Sequence, residues 1–240
     1  IRKKLDTCDY EEPENPKPLP APQPVETVWV EDDLPSGAKP EGEWKVVEKK
    51  DSKLVYSGEK ATVQTATGLK QNFFTGAEKP IVIADGDKLF AYTYLDPENP
   101  PKQVMLQWND GTWEHRAYWG ESLIEWGKDG TVSRRRVGEL PTAGEWVRLE
   151  VDAGSVGLKP GAKVNGWAFT QFDGTVYWDQ AGWVTSTKDK QEYVSFNLWL
   201  TALRQVEKPA LPDKLLPLIK KESLNDSGLS QLKDHFVEHV

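Results

Sequence analysis

A cluster of aromatic and charged side chains between residues 108 and 126 has the composition of a sugar-binding surface. Pyranose rings present C–H faces that stack on aromatic rings, whereas their hydroxyl groups need charged or amide partners. Both kinds of group occur here, and the predicted ligand-binding residues are Trp108, Trp113, Glu114, His115, Arg116, Tyr118, Trp119 and Trp126. Trp113 follows a tight-turn sequence and is expected to be the most exposed ring. The alternative for Trp108 and Trp119 is a place in the core.

Three consecutive arginines form a second candidate site. Alternate residues of a strand share a face, so Arg134 and Arg136 are expected to point together. In a chain of net charge −8, such a pair is a candidate anion site, because guanidinium groups match carboxylate and sulfate. The ligand would then be an acidic or sulfated glycan. The alternative is a solvated strand face paired with nearby glutamates.

Four carboxylates form a candidate metal site. Glu31, Asp32 and Asp33 follow the first predicted strand, and Asp179 lies in the last one. In a jelly roll the first and last strands lie close together. Calcium takes six to eight oxygen ligands, which carboxylates and carbonyls supply. We therefore expect a structural Ca²⁺ there; the alternative is that these acids bond backbone amides and turns.

The elements that must position these groups are strands. Residues 146–152 alternate between apolar and charged side chains, and Val104, Leu106 and Trp108 share one face. This period of two predicts half-buried antiparallel strands. The segment Lys88–Leu95 is apolar on both faces and is predicted to be a central strand, and Gly166 begins a further strand.

Asp-Gly pairs punctuate these strands, and the pair tolerates positive φ at both central positions of a tight hairpin. The predicted hairpin turns are Asp85–Gly86, Asp110–Gly111, Asp129–Gly130 and Asp173–Gly174. Many short strands with frequent turns favour a mainly β fold, an antiparallel β-sandwich of the jelly-roll, lectin-like type.

The two ends of the chain differ from the middle in composition and in the spacing of their apolar residues. Residues 1–24 are acidic and rich in proline, which predicts an extended linker. Residues 25–185 are predicted to form the β-sandwich. From residue 186 to 240 the apolar period becomes helical, which predicts a C-terminal α-helical extension. The abrupt ends suggest a piece of a longer protein.

Composition excludes several classes of function. The chain has 30 basic and 38 acidic residues, and this acidic balance argues against a nucleic-acid partner. No run of about 18 apolar residues is present, so we expect no membrane span. The single cysteine, Cys8, excludes an internal disulfide framework and a cysteine-rich metal site, and without a C-x-x-C-H sequence we expect no covalent haem.

The amino-acid sequence of several segments resembles that of a known inserted domain. These segments are Val28–Ala38, Tyr94–Pro97, Pro100–Lys102, Met105–Trp108, His115–Gly120, Gly144–Val151, Val156–Gly161 and Phe172–Asp179. They resemble the lectin-like β-sandwich carried by large exported planctomycete-type proteins that contain planctomycete cytochrome C and associated domains of unknown function. The resemblance implies a jelly-roll sandwich, an exported, periplasmic or cell-surface setting, and a role in binding polysaccharide. Jelly-roll modules of this kind often carry a structural Ca²⁺.

The sequence therefore predicts a non-catalytic carbohydrate-binding module of a larger exported protein, with polysaccharide and neighbouring domains or subunits as partners. The first alternative is a structural or protein–protein interaction domain in which the 11 tryptophans serve core and interface. The second is a polysaccharide-cleaving enzyme, which would need two carboxylates facing each other across a cleft. Exposure of the residue 108–126 cluster distinguishes binding from a purely structural role.

Overall fold

The computed structural model describes residues 24–185, 196–205, 211–219 and 226–239. The first of these ranges forms a β domain, and the other three carry helices of a separate compact unit. Apart from Pro24, the predicted proline-rich linker lies outside the described residues. Among the helices that are described, none combines the length and apolarity needed to cross a membrane.

Strands make up most of the β domain. In chain order they are β1 Val25–Val30, β2 Lys39–Glu41, β3 Lys45–Glu48, β4 Lys60–Thr75, β5 Ile81–Val82, β6 Lys88–Leu95, β7 Gln103–Asn109, β8 His115–Gly120, β9 Arg135–Gly138, β10 Trp146–Asp152, β11 Lys163–Val164 and β12 Gly166–Thr185. A short 3₁₀ helix, Ala153–Val156, follows β10. Strands β5 and β11 pair separately as a small two-stranded sheet.

Ten strands form one continuous hydrogen-bonded sheet. Its two long central strands, β4 and β12, pair with each other, and the sheet bends along them into two layers, here called the first and second sheets. In the first sheet the order is β2–β4–β12–β7–β8–β9. In the second sheet it is β3–β4–β12–β6–β10, with β1 beside the end of β12. All neighbours are antiparallel except β8 and β9, which are parallel. The prediction of a mainly β, antiparallel sandwich is confirmed, with that one exception.

The strand β12 passes from one sheet to the other at Asp173–Gly174. Both residues have positive φ, 60° and 75°, and the pairing register with β4 shifts there. A hairpin was predicted at this pair, and that prediction is wrong: the left-handed backbone makes a bulge that bends one continuous strand. The Asp173 carboxylate accepts a hydrogen bond from the Gly68 backbone N–H at 2.6 Å, which ties the bend to β4.

Two rings of the same strand show how sharply β12 folds over. Phe169 and Trp178 are nine residues apart, which in an extended strand is roughly 30 Å. Their ring centroids are 5.3 Å apart. The two halves of β12 therefore face each other across a single core, which includes residues from both sheets.

Alternation along the strands decides which residues enter that core. Leu106 and Trp108 of β7, and Leu149 and Val151 of β10, point inward and are buried. The predicted strands at residues 88–95, 104–108 and 146–152 and the strand start at Gly166 are all observed. Period-two patterning therefore identified β7 and β10, and apolarity on both faces identified β6 as a central strand.

The helical unit contains α1 Phe196–Gln205, α2 Leu216–Ile219 and α3 Asp226–His239. Its described apolar side chains pack around Trp199, Leu200, Leu215, Ile219 and Leu232. The predicted C-terminal helical extension is thus present in these three ranges.

Candidate functional site

The outer side of the first sheet carries a hydrogen-bonded group of polar side chains, here called the polar face: Gln71, Gln107, Arg116 and Thr170. Gln107 Nε2 donates to Gln71 Oε1 at 3.0 Å and to Thr170 Oγ1 at 2.8 Å. Gln107 Oε1 accepts from Arg116 Nε at 2.9 Å. These side chains come from four neighbouring strands, β4, β12, β7 and β8, whose register places them together. Gln107, Thr170 and Arg116 are buried, and Gln71 is the part-exposed member of the group.

Arg116 links the polar face to its edge. Its guanidinium donates to the Ser133 carbonyl at 2.9 Å and to both carboxylate oxygens of Glu114 at 3.4 Å. Arg116 is almost fully buried, whereas the Glu114 side chain is 61% exposed. The edge of the polar face therefore presents a carboxylate to solvent beside a cation that is held in place.

Aromatic rings flank the polar face. The half-buried Trp113 packs edge-on against Phe73, with ring centroids 5.6 Å apart. On the other side, Trp126 is 37% exposed. It precedes Gly127, where a Cβ atom added to the glycine would lie 2.9 Å from a guanidinium nitrogen of Arg116. Of the predicted aromatic platforms, these two tryptophans are the ones that solvent reaches.

Three other predicted contacts are closed to a ligand, and those predictions are wrong. Trp108 has no exposed surface and packs against Trp167 at 5.3 Å between ring centroids. Trp119 points inward on β8 and belongs to the same core. Tyr118 points outward, but it is buried with Ile124 in a small cluster beneath the segment that follows β8.

His115 is also occupied within the protein. One ring nitrogen, Nδ1, lies 2.8 Å from the Val156 carbonyl oxygen, and Nε2 lies 3.1 Å from Asp110 Oδ1. The imidazole thus ties the β7–β8 connection to the 3₁₀ helix. This contact set gives it a structural role in place of the predicted ligand contact.

The predicted anion site at Arg134 and Arg136 is not presented to solvent as an open pair. Arg134 donates to the Ile124 carbonyl at 3.1 Å and lies 3.6 Å from Asp129. Arg136 donates to the Gly120 carbonyl at 3.3 Å and pairs with Glu139. Arg134 therefore holds together the segment between β8 and β9, and Arg136, which is half exposed, directs donors to Gly120 and Glu139.

The four predicted calcium ligands have different partners. Asp32 Oδ1 accepts from the backbone N–H groups of Glu59 and Lys60, both at 2.7 Å. Asp33 pairs with the Lys60 ammonium group at 3.3 Å. In the described part of the chain, no three His, Cys, Asp or Glu side chains are grouped so as to hold a metal ion. The predicted four-carboxylate set is therefore not assembled in this geometry.

Asp179 and Glu31 retain features of an anionic site. Asp179 is 5% exposed and accepts backbone hydrogen bonds from Tyr56, Ser57 and Gln180. Burial, with a smaller contribution from the charge of Glu31, raises the pKa of Asp179 to about 6 against these hydrogen bonds. One carboxylate oxygen of Glu31 is buried and has no hydrogen-bond partner among the described residues.

A second group of aromatic residues lies on the outer side of the second sheet. Tyr94, Trp146 and Tyr177, here called the aromatic row, occupy one register level of β6, β10 and β12. Ring centroids are 5.9 Å apart between Tyr94 and Trp146 and 5.8 Å apart between Tyr94 and Tyr177. Tyr56 extends the group because it stacks on Tyr92 at 3.8 Å and contacts Trp146 at 5.9 Å.

Sequence reasoning missed the aromatic row. The signal available was the alternation Phe90, Tyr92, Tyr94 in β6, which puts three rings on one face. That segment was interpreted only as apolar on both faces. The other two members of the row are distant in sequence and join it through strand pairing.

Comparison with known proteins gives fold-level similarities only. No family model and no curated protein matches the sequence. Among solved structures, the chain is similar to TmCBM61, which was solved in complex with β-1,4-galactotriose. The sequence identity is 14% and the TM-score is 0.38, and the match covers 62% of this chain and 88% of TmCBM61. It is also similar to the K1 cleaved adhesin domain of Lys-gingipain from Porphyromonas gingivalis, with 11% identity and a TM-score of 0.42, over 69% and 99%.

A third similar structure is the CBM22-1 xylan-binding domain of Xyn10C from Paenibacillus barcinonensis, with 13% identity and a TM-score of 0.36, over 68% of this chain and 94% of that one. Similarities at this level leave the ligand of the present chain open. The proposals below therefore rest on its own residues.

Proposed function

We propose that the β domain is a non-catalytic carbohydrate-binding module that binds polysaccharide at the polar face. The observation that carries this proposal is that two solvent-reached polar side chains, Gln71 and Glu114, are held by the buried Gln107 and Arg116 beside the part-exposed rings of Trp113 and Trp126. Aromatic rings beside fixed polar groups match the two surfaces of a pyranose.

The buried contacts of the polar face support a binding role because they fix Gln71 and, at its edge, Glu114 before a ligand arrives. Gln107 is held by three hydrogen bonds, and Arg116 is held by Gln107, Ser133 and Glu114. Side chains that are already ordered lose little further entropy on binding. Arg134 and Arg136 are engaged elsewhere, which favours a neutral sugar over the acidic or sulfated glycan predicted from the arginine run.

Equilibrium binding to soluble polysaccharides tests the proposal. Xylan and β-1,4-galactan serve as neutral probes, with polygalacturonate and dextran sulfate as acidic ones. Trp113→Ala is expected to weaken binding about tenfold or more, because a buried aromatic contact contributes on the order of 1.4 kcal/mol or more. Val46→Ala, at an exposed position on β3 in the second sheet, is the matched control and should bind as the unmodified chain does.

Two results would contradict the proposal. One is a folded chain that binds none of the four probes, which would favour the structural or protein-interaction domain. The other is a Trp113→Ala variant, folded by circular dichroism, whose affinity and number of binding sites both equal those of the unmodified chain. Either would remove the polar face as a sugar site.

We further propose that Ca²⁺ stabilises the domain at Glu31 and Asp179. The support is a buried carboxylate oxygen without a partner on Glu31 and the raised pKa of the neighbouring Asp179. Carboxylate oxygens are the ligands that Ca²⁺ prefers. A bound cation would favour the ionised form of Asp179 and so oppose the cost of ionising it in the fold.

A polysaccharide ligand also implies where the protein works. We propose an exported, periplasmic or cell-surface setting, in which this module tethers a larger protein to a glycan. Immunodetection in cell-envelope and medium fractions tests this, and confinement of the protein to the cytoplasm would contradict it.

A further inference from the structure

The aromatic row lies on the sheet opposite the polar face and is not used by the function proposed above. Tyr94 of β6 is paired in register with Trp146 of β10 on one side and with Tyr177 of β12 on the other. Three rings on three neighbouring strands span two interstrand spacings, roughly 10 Å. All three residues are part-exposed, so the rings form a stepped aromatic surface that solvent reaches.

We propose that the aromatic row is a second carbohydrate-binding platform, which takes a neutral pyranose chain laid across strands β10, β6 and β12. The ligand class is the same as for the polar face, but the site shares no residue with it. The domain would then be bivalent, with one sugar site on the outer side of each sheet.

The geometry of the rings suits a chain of sugars better than a compact ligand. The Tyr94–Trp146 and Tyr94–Tyr177 pairs have interplanar angles of 56° and 84°, so the rings present a mixture of faces and edges over an extended strip. Tyrosine adds a hydroxyl group to each stacking surface, which serves the hydroxyls of a pyranose as donor or acceptor. A polymer contacts several such positions at once.

Charge on this face points to a neutral ligand. The nearest cation, Arg148, pairs with Glu26 at 2.7 Å and with Glu150 at 3.2 Å, and its guanidinium lies 3.8 Å from the ring centroid of Phe90. Lys88 pairs with the same Glu150 at 2.8 Å. Acid and base are matched locally, so the face offers no unpaired cation to a sulfate or carboxylate.

Tyr56 and Tyr177 remain uncharged across the physiological range. The neighbouring Tyr92 hydroxyl, followed by burial, raises the pKa of Tyr56 to about 12. Burial raises the pKa of Tyr177, with a further contribution from Asp96. Binding at the aromatic row is accordingly expected to be constant between about pH 6 and pH 9, because free tyrosine titrates only near pH 10.

The experiment separates the two faces. Three variants of the full chain are compared with the unmodified chain: Trp113→Ala, Trp146→Ala and the double variant. The first assay is equilibrium binding to xylan and β-1,4-galactan. The second is precipitation of the polysaccharide, which requires two binding sites on one chain. Trp146→Ala is expected to halve the number of sites and abolish precipitation while single-site affinity persists. The double variant should lose at least tenfold in affinity.

A conservative variant guards against a merely structural effect of the tryptophan. Tyr177→Phe keeps the ring and should precipitate polysaccharide within about twofold of the unmodified chain, whereas Tyr177→Ser removes the ring and should not. If Trp146→Ala misfolds, this tyrosine pair decides the question alone. Loss of precipitation in Tyr177→Ser but not in Tyr177→Phe supports the platform.

The outcomes distinguish this proposal from the previous one. If Trp113→Ala has no effect and Trp146→Ala abolishes all binding, the polar face fails and the aromatic row stands. If Trp146→Ala and Tyr177→Ser keep the full number of sites, or the unmodified chain has one site and precipitates no polysaccharide, the aromatic row is refuted. Loss of that site in Trp113→Ala would then show that the polar face stands. Binding of another protein but no polysaccharide at this face would refute the platform as well.

Discussion

Replacing Gly174 by alanine is expected to destabilise the β domain much more than the same change at Gly130. The two glycines have nearly the same backbone conformation, with φ of 75° and 74°. A left-handed backbone costs alanine about 1–2 kcal/mol. At Gly174 the new Cβ would also overlap the backbone of Pro100 and Pro101, whereas at Gly130 nothing lies within 4 Å.

The magnitude follows from these two contributions. Gly130→Ala carries only the conformational cost of about 1–2 kcal/mol. Gly174→Ala adds the cost of forcing the backbone apart where the strand changes sheets, which for overpacked sites is typically about 1–3 kcal/mol. The expected difference between the two variants is therefore about 2 kcal/mol, in the direction of a less stable Gly174→Ala.

Equilibrium unfolding in urea, followed by tryptophan fluorescence, measures this difference. Both variants should show the same dependence of unfolding free energy on urea, with the midpoint of Gly174→Ala well below that of Gly130→Ala. A Gly174→Ala chain that fails to fold, while Gly130→Ala folds, agrees with the reasoning. Equal midpoints would refute it, because they would show that close approach to Pro100 and Pro101 does not constrain the bend.

Two further predictions concern buried polar groups. The pKa of Asp179 is about 6 in the fold and near 4 when unfolded, so the folded chain holds the proton more tightly and its stability falls as pH rises through that window. In the presence of chelator, Asp179→Asn should remove about 1.4 kcal/mol of this fall between pH 5 and pH 7.5, and urea-denaturation profiles that stay parallel for the two chains would contradict this. Excess calcium should reduce the fall in the unmodified chain only. Tyr118→Phe deletes the 2.8 Å hydrogen bond to Asp129. It is expected to lower the free energy of unfolding by about 1 kcal/mol and to speed proteolysis between residues 121 and 131. An unchanged cleavage rate would show that the bond does not hold this segment.

Local pattern sufficed for the individual strands. The alternation of Val147, Leu149 and Val151 with charged residues identified β10, and the same reasoning identified β7. In β10 one face is more exposed than the other, so the period of two is visible in the sequence, whereas β7 is buried on both faces. The sharp change to helical spacing after the last strand was equally readable.

Local pattern failed at the bend in β12. Asp173 and Gly174 have the residue types and the positive φ values of a hairpin turn. Whether such a pair ends a strand or bends it depends on what the chain pairs with afterwards. Here the continuation of β12 pairs with β4 and β6, which are remote in sequence.

The candidate sites show the same limit. Proximity in sequence suggested that Tyr118 and Trp119 act with Trp113, yet adjacent residues of a strand point to opposite faces. Tyr94, Trp146 and Tyr177 form a continuous surface although 83 residues separate the first from the last. A surface assembled by strand pairing has no local signature, whereas the exposed tryptophans of the polar face lie in connections and were found directly.

The central position of β12 has a consequence for how the chain is made. Strands β4, β6 and β7 all take β12 as a neighbour, and β12 begins only at Gly166. During synthesis from the N-terminus, the earlier strands emerge without the partner that completes either sheet. Pairing across about 100 residues is slow because loop closure must precede any gain from the contacts. The nascent domain therefore exposes unpaired strand edges and apolar side chains until its last strand is available. We expect chaperones that hold unfolded chains to bind it during this interval.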